Sequence, residues 1–155
     1  MKKYKMFLKD IYNSKIPMEK FLKLEIPMVV SWKFGKIAKL LLEVHESIEN
    51  ERGRTIKRFL LPEEDSLAHI PAKQAAPGMS KDELAKLHKR NEEIKELNAD
   101  KDKRKQAFQT EFTNFLSTSH EELRFEPIYF SQHPELKELM FASSNMITLN
   151  PFFEE

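Results

Sequence analysis

The sequence predicts a mainly α-helical fold built on a long antiparallel helical hairpin, with a short N-terminal helix before it and a C-terminal extended segment plus short helices after it. Three features carry that expectation. Two helix-forming stretches, 27–60 and 80–117, take up nearly half of the chain. A connector with Pro62, Pro71, Pro77 and Gly78, residues 61–79, separates them, and an aromatic-rich packing tail, 120–155, follows. At 155 residues the chain has the length of one domain that buries a core without disulfide or metal staples, so 1–155 is read as a single helical domain.

The elements follow in order. Tyr4, Phe7, Leu8, Ile11 and Tyr12 fall at helical spacing, which predicts a short amphipathic helix ending at a Lys15-Ile16-Pro17 turn. Pro27 suits the first turn of the next helix, where its missing N–H costs nothing. Within 27–60, Val30, Phe34, Ile37, Leu41, Val44 and Ile48 alternate in steps of four and three and continue through Thr55 towards Phe59, a seam that keeps one face towards a partner. Trp32, Leu40 and Leu42 lie off that seam and imply burial on a second side. The connector is long for a compact domain and has no sustained periodicity. Ser80-Lys-Asp-Glu83 then matches a capping box and starts the second long helix.

That helix has Leu84, Leu87, Ile94 and Leu97 at one end and Phe108, Phe112, Phe115 and Leu116 at the other. Asn98 to Lys105 contains no large apolar residue, so either the helix crosses a solvated stretch supported by charge pairs or it breaks there. Antiparallel pairing would set 108–116 beside 30–41. Asn91, Asn98, Lys101 and Lys105 weaken the second seam and predict a loosely held tip. Beyond it, Leu123, Phe125, Ile128 and Phe130 suggest an extended segment, and short helices are expected at Pro134–Phe141 and at Asn145–Leu149 with Ser144 as cap.

Composition excludes several classes of function. With no Cys, thiol catalysis, disulfides and Cys-ligated metals are out, and a reducing compartment is the natural setting. No apolar run has signal-peptide or membrane-span length, so the expected location is the cytoplasm and no membrane partner is expected. Lys and Arg number 26 against 25 Asp and Glu, without the positive excess of a dedicated nucleic-acid binder. The distribution is uneven: residues 1–23 hold seven Lys against Asp10 and Glu19, and residues 119–155 hold seven Glu against Arg124 and Lys137. Such ends attract one another within a chain or between copies.

No catalytic constellation is present, and no enzyme activity or cofactor is expected. The five His residues show no ligand spacing, although His45 and Glu49 share a helix face. The three Gly are isolated and build no phosphate-cradling loop. The residues that offer binding chemistry are Phe152, Phe153 and Trp32 for a protein partner, and the basic run Lys101, Lys103, Arg104 and Lys105 for a nucleic-acid backbone. Against the latter, residues 81–105 hold nine basic and seven acidic side chains, the composition of a solvated, internally paired helix. The two terminal Phe are expected to pack on the chain's own core or, alternatively, to seat on a partner.

Leu24-Glu-Ile-Pro27, Lys36-Ile-Ala-Lys-Leu-Leu-Leu42, Phe112-Thr-Asn-Phe-Leu116, Leu123-Arg-Phe-Glu-Pro-Ile128 and Leu149-Asn-Pro-Phe-Phe-Glu-Glu155 together give the chain a likeness over 21–60 and 108–155. It resembles small uncharacterised helical proteins encoded by tailed bacteriophages and prophages. The resemblance implies an origin and no activity. The expectation is a non-enzymatic phage-type accessory protein acting through protein–protein contacts, in virion assembly or on a host or phage enzyme. Homo-oligomerisation through the 30–48 seam and association with the virion belong to the same expectation, and a nucleic-acid-binding factor using 101–105 is the alternative.

Overall fold

Helices dominate the protein, whose computed structural model describes residues 1–141, 149 and 151–155. In chain order the elements are β1 (Lys2–Phe7), α1 (Leu8–Leu22), α2 (Met28–Lys57), α3 (Lys81–Thr118), β2 (His120–Phe125), β3 (Ile128–Tyr129), α4 (Glu135–Phe141) and β4 (Phe153–Glu154). They form two compact units, Met1–Arg52 with Thr113–Glu155, and Gly53–Phe112.

The first unit departs from expectation at its start. Lys2–Phe7 is a strand, paired antiparallel with β2 from Lys2 opposite Phe125 to Phe7 opposite His120. Its side chains alternate, with Met6 buried and Tyr4 half-buried between exposed Lys3 and Lys5. The helical spacing of Leu8 and Ile11 hid that two-residue period. Tyr4 stacks on Phe125, the diagonal neighbour in the pair, at 4.1 Å between ring centres.

α1 then runs through the Lys15–Pro17 turn that the sequence suggested. Pro17 is buried inside the helix, a placement worth about 3 kcal/mol against an unsupported helix. Burial of Leu8, Ile11, Met18 and Phe21 on the same face offsets it. Buried Ser14 is satisfied locally, its hydroxyl donating to the Ile11 carbonyl at 2.7 Å.

The α2 seam is as the spacing indicates: Val30, Phe34, Ile37, Leu41 and Ile48 are buried, and Val44 is half-buried. Burial on a second side is not found at Trp32 and Leu42, which are 67% and 42% exposed. The helix ends at Lys57 by tightening, since the amides of Arg58, Phe59 and Leu60 donate to carbonyls three residues back at 3.0 to 3.3 Å.

The tail closes the first core. β3 pairs parallel with β4, Ile128 opposite Phe153, and the Phe130 amide donates to the Glu154 carbonyl at 2.8 Å. Phe152 is fully buried, and Phe153 meets Phe21, Phe34 and Phe130 at 5.5, 6.0 and 5.3 Å between ring centres. α4 forms where Pro134–Phe141 was expected to be helical. The helix expected at Asn145–Leu149 with its Ser144 cap lies outside the described residues except for Leu149, which is fully buried. The oppositely charged ends meet within the chain: Lys2 binds Glu154, the Tyr4 hydroxyl donates to it at 2.6 Å, and Lys3 pairs with Glu122 at 3.0 Å. Lys2 and Tyr4 hold the Glu154 carboxyl below its ordinary range.

In the second unit, the capping box forms as read, with the Ser80 amide donating to Glu83 at 2.7 Å and the Glu83 amide to Ser80 at 3.2 Å. α3 is unbroken from Lys81 to Thr118, through the polar stretch. From Lys81 to Phe108 its only residues not exposed are Leu87, Asn91, Ile94, Asn98, Lys101, Arg104 and Phe108. These recur in steps of three and four and make one continuous face. Leu84 and Leu97, two of its first apolar positions, are 43% and 40% exposed. Phe108 is instead in contact with Phe59 and Phe112, at 6.1 and 5.9 Å between ring centres.

Candidate interaction surfaces

The first candidate surface is built by the early turns of α2. Met28, Trp32 and Lys36 follow one another at four-residue intervals, so they stack along one face of the helix. Met28, Val29 and Trp32 are 85%, 57% and 67% exposed. The Lys36 ammonium lies 5.1 Å from the centre of the Trp32 ring, within cation–π reach. Gly35 sits beside them in mid-helix with open space where a Cβ would point, and with Met28, Ser31, Trp32, Lys36 and Lys39 it floors a hollow of about 430 Å³. A second hollow, about 400 Å³, runs past the same Trp to Met1, Leu40, Arg124 and Glu126. Lys33 bonds Glu126 at 2.9 Å and holds its carboxyl below the ordinary range, which leaves Lys36 and Lys39 to give the rim a positive character.

Phe152 and Phe153 do not share that surface. Both rings are interior, so the alternative in which they seat on a partner is not what this conformation presents. The physical reason is the β3–β4 pairing, which draws residues 153–154 inward and directs the two rings onto Phe34 and Phe125.

The basic run is divided. Lys101 is 5% exposed; its ammonium donates to the Ser66 carbonyl at 2.8 Å and pairs with Glu64 at 3.4 Å. The Arg104 guanidinium bonds Glu64 with two nitrogens at 2.5 and 2.9 Å, the Phe59 carbonyl at 2.7 Å and Asp100 at 2.9 Å. Lys103 and Lys105 remain exposed. Two of the four cations therefore serve the fold rather than a nucleic-acid backbone. Arg104, the Leu61 amide and Lys101 lower the Glu64 carboxyl to about 2.

The second candidate surface is the polar face of α3, which grips the connector. Asn98 accepts from the Ile70 amide at 2.8 Å and donates to the Ile70 carbonyl at 3.0 Å. Asn91, two turns earlier, does the same to Lys73, both bonds 2.9 Å. His69 reaches Asp102 at 2.6 Å, and Leu67 is buried. Residues 66–73 thus lie antiparallel along α3 as a strap. A side-chain amide offers the same donor and acceptor pair as a strand backbone, so each Asn reads a residue without regard to its side chain. Asn91 and Asn98 were not singled out as binding residues; their seven-residue spacing on one face, with Ile94 between them and Lys101 following, is the signal that marks them.

His45 stacks on Tyr12 at 5.0 Å between ring centres, and burial lowers its pKa. Glu49 hydrogen-bonds the Tyr12 hydroxyl and raises its pKa, so this pair joins α2 to α1. Among the described residues no three His, Asp or Glu side chains converge on a metal site, and no helix is long and apolar enough to cross a membrane. In comparisons with protein families, curated proteins and solved structures, nothing matched this chain.

Proposed function

We propose that this chain is a non-enzymatic accessory protein of phage type that acts through protein contacts, either in virion assembly or on a host or phage enzyme, in the bacterial cytoplasm or on the virion. The observation that supports this reading is Trp32, the chain's single tryptophan, standing exposed beside Met28 and Val29. Tryptophan is enriched among the residues that dominate binding energy at interfaces, and contiguous exposed apolar side chains mark contact sites. The frame that presents it is read as an antiparallel hairpin of α2 and α3. Support comes from the turn directly after α2, where Arg58 bonds Glu111 at 2.5 Å and Phe59 packs on Phe108. A second copy of the chain is one admissible partner.

The test is capture from lysates of infected and uninfected bacteria on immobilised wild type and Trp32→Ala. A partner retained by the wild type and lost with the variant agrees with the proposal; equal retention contradicts it. Nucleic-acid binding rests on Lys103 and Lys105, the exposed part of the run, and would show as salt-dependent retention of DNA or RNA weakened by charge reversal at both.

A further inference from the structure

The Val30–Ile48 seam of α2 lies in the chain's own core, but the opposite side of the helix carries a second repeat. Met28, Trp32, Gly35, Lys39, Leu42 and Glu46 recur in steps of four and three, the heptad spacing by which one helix seats on another. All but Gly35 are exposed, Leu42 by 42%. The hollow over the first half of this face is lined by Met28, Ser31, Trp32, Gly35, Lys36 and Lys39. Those positions are two overlapping sets of the form i, i+3, i+4, i+7, the four-residue hole that accepts a side chain from a facing helix. Gly35 belongs to both sets and deepens them, with nothing within 4 Å of the point a Cβ would occupy. Charge runs along the same face in one order: Lys36 and Lys39, then Glu43 and Glu46. All four are exposed and, among the described residues, none is in an ion pair. Lys39 and Glu43 are one turn apart, but with the basic residue first, the weaker order for a pair within a helix.

We propose that this face binds a second copy of the chain, α2 against α2 in antiparallel order about a two-fold axis, with Leu42 of each copy seated over Gly35 of the other. The second copy is then the occupant of the Trp32 surface, so the dimer rests on reading that surface as a protein-contact site. Charge fixes the direction. Parallel helices would set each Lys against its own counterpart and each Glu likewise, whereas antiparallel helices lay the basic half of one copy along the acidic half of the other, twice over. In that register Leu42 enters the hole formed by Trp32, Gly35, Lys36 and Lys39, and Glu43 comes beside Lys36. Lys39 lies next to the axis, where its long stem lets the ammonium swing from its counterpart towards the same carboxylate. The indole packs on the incoming Leu42, which accounts for an exposed tryptophan and an exposed leucine on one face of the helix.

Sedimentation equilibrium on the full chain, over a concentration series reaching about 1 mM, provides the test. The mass should rise from 18.4 kDa towards twice that value. Lys36→Glu with Lys39→Glu makes the face wholly acidic, and Glu43→Lys with Glu46→Lys makes it wholly basic. Each variant should stay monomeric alone while keeping the helicity of the wild type by circular dichroism. Mixed, the two should associate with each other at least about tenfold more tightly than either does with itself, and a chain carrying all four changes should dimerise as the wild type does. Gly35→Leu, for which the single chain has room, should weaken the dimer at least about tenfold by filling the hole. A wild type that stays at 18.4 kDa throughout, an undiminished dimer in both charge-reversed variants, a mixture that fails to associate, or a Gly35→Leu dimer of full strength would each overturn the proposal. A wild type that stays monomeric yet captures another protein through Trp32 would remove the second copy as occupant and leave the contact-site reading intact.

Discussion

Asn98 holds Ile70, 28 positions earlier in the chain, by both of its backbone groups, at 2.8 and 3.0 Å. A connector with no secondary structure of its own thereby gains a fixed register on α3. Asn98→Ala removes both bonds and leaves the Ile70 amide and carbonyl to water. The expected loss is about 1 to 2 kcal/mol of stability. Faster amide exchange at Ile70 should accompany it, with Lys73 less affected because Asn91 still holds it. Hydrogen exchange checks this, and unchanged protection at Ile70 would contradict it.

Glu64 anchors the start of the same strap through Arg104, Lys101 and the Leu61 amide. Its carboxyl is held at about 2 in the folded chain, against an ordinary value of 4.5. A depressed carboxyl stabilises the fold fully above its unfolded value and loses that contribution as pH falls towards the folded one. The second unit should therefore weaken between about pH 5 and 2. Glu64→Gln should flatten that slope in acid melting curves, and an equal slope in the two proteins would count against the Glu64 cluster.

The sequence disclosed what was local and periodic, and hid what was distant or polar. The Val30–Ile48 seam and the Ser80–Glu83 box were legible because apolar period and capping chemistry act within a few residues. β1 was not, because its partner, β2, lies more than a hundred residues away and its alternation runs directly into the helical spacing of Leu8 and Ile11. The middle of α3 misled for a different reason. Asn91, Asn98 and Lys101 read as weak points because a seam is expected to be apolar, yet a helix face that meets a backbone instead of side chains needs donors and acceptors. At the candidate surfaces, Trp32 was visible as a residue type, but its exposure was not, since it sits two residues from buried Phe34 on a helix whose seam is buried.

The terminal aromatics should be structural. Phe152 and Phe153 are 0% and 6% exposed, so truncation after Asn150 should cost roughly 3 to 5 kcal/mol, the range for losing a buried aromatic ring. The same cut removes β4 and the Glu154 bonds to Lys2 and Tyr4. Denaturant unfolding that matches the intact chain would show that the tail is dispensable to the core.

Directly after the connector, Ser80→Ala removes the acceptor of the Glu83 amide and should cost about 1 kcal/mol, the usual worth of an N-cap. The effect belongs to the first turn of α3, so amide exchange should rise at Glu83 and Leu84 and stay constant at Ile94. A uniform rise along the helix would mean that the cap controls more than its own turn.

Trp32 is the proposed contact residue, and its fluorescence tests that role directly because the chain has no other tryptophan. In the free protein the emission should be that of a solvated indole, open to acrylamide, and Trp32→Ala should change stability by no more than about 0.5 kcal/mol. On addition of the captured partner, the emission should shift to the blue and quenching should fall. A partner that binds while the indole stays red-emitting and fully quenchable would contradict the assignment.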